Sequence, residues 1–149
     1  MRKFLFLLLI PILFGGCKKT DQAAVDQQII QQYIKDHNLT AIAEPNGLYY
    51  VPTTVGTGSF PTINSTVTVN YVGYYTNGVI FDQTTAASGP ATFALSNVIE
   101  GWQEGIPLMQ KGGSGILLIP SALGYGAQGS GSVPGNTVLI FNVTLVSFQ

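Results

Sequence analysis

A chain of 149 residues with 46% hydrophobic side chains is long enough for one domain with a substantial core. Only 9% of the residues are charged, glycine contributes 18, and Val, Thr, Tyr and Ile recur, a composition that points to a mainly β protein. The formal net charge is −1 and no Lys/Arg cluster lies in the part expected to fold, which argues against nucleic acid as a partner. The chain opens on Arg2-Lys3 and continues through Phe4 to Phe14, an apolar run too short to span a membrane comfortably. Gly15-Gly16-Cys17 follows, with the only cysteine. This is the layout of a targeting segment rather than of folded structure. Without it, four basic side chains stand against seven acidic ones, a balance of about −3.

Residues Lys18 to Gln22 read as a polar tether, with Asp21 placed to cap a helix. Val25, Ile29, Ile30, Tyr33 and Ile34 then fall at helical spacing, with Asp26, Gln27, Gln28, Gln31 and Gln32 between them. The pattern predicts an amphipathic helix over Gln22 to Asp36, serving either as a spacer or as a dimerisation element, with the short apolar stripe favouring the spacer and a monomer. Leu39 to Gly47 reads as a connector with a Pro45-Asn46-Gly47 turn. Strands are expected over Leu48 to Thr53, Ser65 to Tyr75, Val79 to Asp82, Ala91 to Leu95, Ser114 to Ile119 and Val138 to Phe148. Thr76-Asn77-Gly78 is a hairpin turn, because Asn-Gly accepts positive φ. Asn97 is placed to cap a short helix from about Ile99 to Leu108, which carries the only tryptophan, Trp102. Val55 to Ile63, Thr84 to Pro90 and the glycine-rich Ser121 to Asn136 read as loops. The fold expected is α+β: an antiparallel sheet of five to six strands with one short helix on it, preceded by an N-terminal helix.

The opening segment resembles a bacterial lipoprotein signal, in which cleavage precedes a lipidated cysteine. Phe14 departs from the aliphatic residue usual three places before that cysteine. The resemblance implies residues 1–16 as signal peptide, 17–46 as lipidated tether and helix, and 47–149 as the functional domain. Cys17 would then carry acyl chains that anchor the protein to the bacterial cell envelope, facing the periplasm, with the outer membrane as the expected site.

Six motifs in fixed order resemble the FKBP-type peptidyl-prolyl cis-trans isomerase family: GLYY at Gly47, VTVNYVGYYTNGVIFD at Val67, FAL at Phe93, VIEGWQEGIPLM at Val98, IPSALGYG at Ile119 and VPGNTVLIFNVTL at Val133. Together they cover roughly Gly47 to Leu145. The resemblance implies a twisted sheet wrapped around the short helix, with proline-containing polypeptides as clients, macrolide-type molecules as possible inhibitors, and no cofactor or metal. It assigns the pocket to Tyr71, Phe81, Asp82, Phe93, Val98, Ile99, Trp102, Tyr125, Val133 and Phe141, with Asp82, Tyr125, Trp102 and Phe141 nearest the reaction. Two departures bear on binding. Ala91 stands where the family often has an aromatic, and the loop after Tyr125, GAQGSGS, lacks an apolar tip. Both imply weaker macrolide binding or a shallower groove.

The residues themselves suit that chemistry, which needs no nucleophile. A twisted X-Pro amide is less dipolar than the planar form, so an apolar bowl favours it relative to water. Trp102 is expected at its floor, with Phe81, Phe93 and Phe141 around the prolyl ring and Tyr71 and Val98 at the sides. Tyr125, between two glycines on a loop, is a candidate donor to a substrate carbonyl. The Ile99 amide is a second, because amides at a helix start lack internal partners. Asp82 either accepts a hydrogen bond from Tyr71 or polarises the carbonyl carbon. Generic readings stand beside these: Trp102, Phe93 and Phe141 as plain core, and Asp82 as a strand-end cap. A catalytic triad is excluded by a lone histidine, His37, far from the motifs, and metal binding by the same scarcity of ligands. The alternatives to an isomerase are a polypeptide-binding module on the same fold and a structural envelope protein assembled through the N-terminal helix.

Overall fold

Asp21 accepts a hydrogen bond from the Ala23 N–H and starts the first helix, α1 (Gln22–Asp36), which ends at His37. The structure, a computed structural model, describes residues 21–149. Residues 1–20, including Cys17 and the lysines after it, lie outside the described part. After α1 come strands β1 (Ile42–Ala43), β2 (Tyr49–Thr54), β3 (Thr66–Tyr74), β4 (Ile80–Gln83) and β5 (Ala91–Ala94). A single-turn 3-10 segment, Leu95–Asn97, leads to helix α2 (Glu100–Gly105), and Ile106–Leu108 continues it as a second 3-10 turn. Strand β6 (Ser114–Ile119), a 3-10 turn at Ser121–Leu123 and strand β7 (Leu139–Phe148) complete the chain.

All strand pairs are antiparallel, in the order β1-β2-β6-β7-β3-β4, with β5 also paired to β3. Strand β3 shares one edge between two partners: Thr66 to Val69 face β5, and Val72 to Tyr74 face β4. The sheet has seven strands where the sequence pattern shows six. The additional one, β1, is a two-residue pairing of Ile42 and Ala43 with Tyr50 and Tyr49, both exposed and too short to show alternation.

The continuous apolar run of β6 follows from burial of both sheet faces. Leu117 and Ile119 point into the main core with Val67, Val69, Trp102, Ile106, Phe141 and Leu145. Leu118 points the other way, into a second core made with Ile30, Val51, Val138 and Ile140. Helix α1 supplies Ile30 to that second core, so it is packed on the outer face of the sheet. Its buried stripe differs from the expected one. Ile29 stands exposed, whereas Asp26 is only 1% exposed, so a carboxylate takes a place on the inward face.

Helix α2 lies flush on the inner face because Gly101 and Gly105, one turn apart, have no side chains. A Cβ at Gly101 would stand 2.5 Å from Ile119 Cγ2, and one at Gly105 2.5 Å from Leu117 Cδ2. The α-helical part ends earlier than the expected Leu108. Pro107 has no N–H to continue the ladder, and the chain tightens into the 3-10 turn. Asn97 does not cap α2. Ile99 occupies the cap position in extended conformation and its carbonyl accepts from Trp102 and Gln103, while Asn97 closes the preceding 3-10 turn.

Candidate functional site

Alternation along β3 brings Tyr71 to the inner face, where β7 delivers Phe141 and α2 raises Trp102 toward them. The rings meet edge to face: Tyr71 to Trp102 at 5.0 Å, Phe93 to Trp102 at 5.8 Å and Trp102 to Phe141 at 5.2 Å between centroids, at 80–84°. This is the favoured arrangement for aromatic quadrupoles. The cluster lines a cavity of about 280 Å³ together with Asp82, Asn97, Val98, Ile99 and Tyr125. Trp102, 4% exposed, is its floor, and Tyr125, 36% exposed, stands on the loop at its rim. Among the described residues the indole N–H of Trp102 is the one buried side-chain polar atom without a hydrogen-bond partner.

Eight of the ten residues expected to form a pocket line this cavity. Phe81 and Val133 do not. Phe81 stands behind the wall, edge-on to Phe141 at 5.5 Å and tilted against Tyr75 at 5.0 Å. Val133 is buried in the main core. Ala91 is paired with Val69 in the sheet and is absent from the lining.

The Tyr71 hydroxyl donates to Asp82 Oδ2 at 2.7 Å, which fixes the plane of the Tyr71 ring and turns the carboxylate toward the cavity. Burial first, then this hydrogen bond and the charge of Asp82, push the Tyr71 hydroxyl well above its ordinary value of 10.0. Burial and the same carboxylate raise Tyr125. Both hydroxyls therefore stay protonated at neutral pH and remain donors. Ile99 stands at the N-cap of α2 and lines the cavity, where its N–H, at the end of a helix, can donate to a ligand carbonyl.

Three residues that the sequence does not assign to the pocket belong to the site or support it. Asn97 lines the cavity. Gly73 underlies the aromatic wall, where a Cβ would stand 2.6 Å from Phe141 Cε1 and 2.9 Å from Phe81 Cζ. Tyr75 supports Phe81 and donates its hydroxyl to the Ser132 carbonyl at 3.0 Å, tying β3 to the loop that carries Val133. A glycine inside an otherwise alternating strand was the one available signal, since such a glycine often marks close packing. A larger depression of about 680 Å³ lies across the outer sheet face, lined mainly by Thr53, Asn70, Asn142, Thr144 and the 84–90 loop. It has neither an aromatic cluster nor a charged group, so the smaller cavity is the candidate site. Among the described residues no group of three His, Cys, Asp or Glu side chains could hold a metal.

Residues 57–146 match the FKBP-type peptidyl-prolyl cis-trans isomerase family. The chain belongs to that family. It is 46% identical over 105 residues to the peptidyl-prolyl cis-trans isomerase Mip of Coxiella burnetii, covering 70% of this chain and 46% of the relative. To the outer membrane protein MIP of Legionella longbeachae it is 42% identical over 106 residues, covering 70% of this chain and 46% of the relative. The crystal structure of FkpA from Escherichia coli superposes with a TM-score of 0.77 at 33% identity, over 85% of this chain and 61% of that one. The chain thus spans less than half the length of the two curated relatives. The shared fold is the antiparallel sheet wrapped around a short helix that the sequence predicts.

Proposed function

We propose that this chain is a peptidyl-prolyl cis-trans isomerase acting on proline-containing polypeptides. The observation that carries this reading is the cavity of Tyr71, Phe93, Trp102 and Phe141 with Tyr125, Asp82 and the Ile99 amide at its edge. The peptide bond resists rotation because resonance gives it partial double-bond character, with a barrier of about 18–20 kcal/mol. A prolyl ring seated on Trp102 places its amide among apolar rings. There the planar, strongly dipolar amide loses more solvation than the twisted one, so binding is tighter at the transition state. The Ile99 N–H and the Tyr125 hydroxyl hold carbonyls on either side of the ring, which keeps one part of the chain fixed while the other turns. Asp82 is committed to Tyr71 through one oxygen, so its first effect is to set the ring wall.

A protease-coupled assay on Xaa-Pro peptides with the full chain tests this reading. Trp102→Ala is expected to lower kcat/KM about a hundredfold, the scale seen when a positioned surface is lost. Tyr50→Phe is the control, since Tyr50 is core and lies outside the cavity. A folded wild type that binds the peptides without accelerating their isomerisation would instead make the protein a polypeptide-binding module.

The same reading extends to location. A relative named as an outer membrane protein and the GGC segment at Cys17 support a lipid-anchored helper at the cell envelope, where exported chains fold. No helix among the described residues is long and apolar enough to cross a membrane. Metabolic labelling with an alkyne fatty acid is expected to mark the wild type and to miss Cys17→Ser; equal labelling of both would reject the anchor.

A further inference from the structure

We propose that Asp26, on helix α1, is a positioning residue for Tyr125 and acts through Ser121. This inference rests on the isomerase reading for its kinetic consequence and on the geometry for the rest. Asp26 is a carboxylate 1% exposed, and the cavity does not use it. Its Oδ2 accepts from the Ser121 backbone N–H at 2.8 Å and from the Ser121 hydroxyl at 2.6 Å, and its Oδ1 accepts from Gln22 Nε2 at 2.8 Å. Burying a carboxylate is costly unless its lone pairs are filled, and here two of the three donors come from one residue 95 positions away.

Ser121 is the root of the loop that carries Tyr125. Its carbonyl accepts from the N–H groups of Gly124 at 3.1 Å and Gly126 at 2.8 Å, the residues on either side of Tyr125. Gly126 has φ +63°, and on its far side the loop is tied by Gly129 N–H to the Tyr125 carbonyl at 3.1 Å and by Asn136 N–H to the Gly126 carbonyl at 2.8 Å, so the two bonds to Ser121 are its anchor on the Ser121 side. One residue is therefore clamped on its N–H and hydroxyl by α1 while its carbonyl holds the backbone around the rim hydroxyl. Displacing Ser121 releases the two amides that aim Tyr125. Helix α1 is on this account a working part of the active domain and not a spacer.

A double-mutant cycle on the full chain tests the coupling. Tyr125→Phe is expected to lower kcat/KM about three- to tenfold, the worth of one hydrogen bond. Asp26→Ala lowers it by a similar factor in the wild type and by less than about 1.5-fold when Tyr125 is already phenylalanine. Asp26→Asn restores most of the loss, because its amide oxygen can accept both Ser121 donors while its NH₂ faces a reversed Gln22 amide. Equal losses in both backgrounds, or no loss from Asp26→Ala, overturn the proposal. If Asp26→Ala does not fold, Ser121→Ala replaces it in the same cycle. A second readout is independent of turnover: with fluorotyrosine incorporated, the Tyr125 resonance (assigned by its absence in Tyr125→Phe) is expected to shift or broaden in Asp26→Ala and to return in Asp26→Asn. An unmoved resonance overturns the positioning role even if the wild type proves inactive, whereas a moved one with an inactive wild type faults only the isomerase reading.

Discussion

Phe141→Ala is expected to lose most of the isomerase activity and about 3–5 kcal/mol of stability, the usual range for removing a buried phenylalanine. The two losses share one cause. Phe141 is 3% exposed on β7, between β3 and β6, and its ring is edge-on to both Trp102 at 5.2 Å and Phe81 at 5.5 Å. It joins the floor of the cavity to the ring behind its wall, so its removal leaves a void and frees the Trp102 indole to tilt. Denaturant unfolding reads the first effect. A kcat/KM reduced about a hundredfold in protein that is still folded reads the second. Unchanged turnover in a destabilised variant would reduce Phe141 to an ordinary core residue.

The converse change fills space. Gly73→Ala would put a methyl 2.6 Å from Phe141 and 2.9 Å from Phe81, closer than carbon atoms pack, so both rings must move. Overpacking of this kind costs about 1–3 kcal/mol. Because the displaced rings form and support the cavity wall, kcat/KM is expected to fall about tenfold with the fold retained. The register shift between β3 and β4 at Gly73 and Tyr74 offers the backbone some freedom to absorb the methyl. An alanine variant with wild-type kinetics would show that it does so, and that the rings are not held as tightly as the distances imply.

The legibility of this molecule from its sequence varied with the length over which a pattern ran. Nine residues of β3 alternate, and that alone places Tyr71 inward and Asn70 outward. The tryptophan between glycines on α2 was legible as a site because it came with five other motifs in order, where a lone buried tryptophan would have said only core. Short or non-periodic features did not show. Two residues of β1 carry no period, and the stop of α2 at Pro107 is a single-residue effect within an otherwise helical run. Asp26 was hidden for a different reason. A carboxylate among glutamines reads as a solvated face, and only its partner at Ser121, far along the chain, makes the inward orientation tenable. Gly73 and Asn97 escaped similarly, since the roles of both are set by neighbours brought in by tertiary packing.

Nuclear magnetic resonance exchange spectroscopy on an Xaa-Pro peptide, at equilibrium and with the full chain at substoichiometric amount, tests the central claim most directly. It needs no coupling enzyme and observes the cis and trans peptide together. Uncatalysed exchange takes tens to hundreds of seconds. The account predicts cis-trans cross-peaks on a subsecond timescale with wild-type protein, and their disappearance with Trp102→Ala. Peptide resonances that shift on binding while cis and trans remain in slow exchange would contradict it and leave the aromatic cavity as a binding site alone.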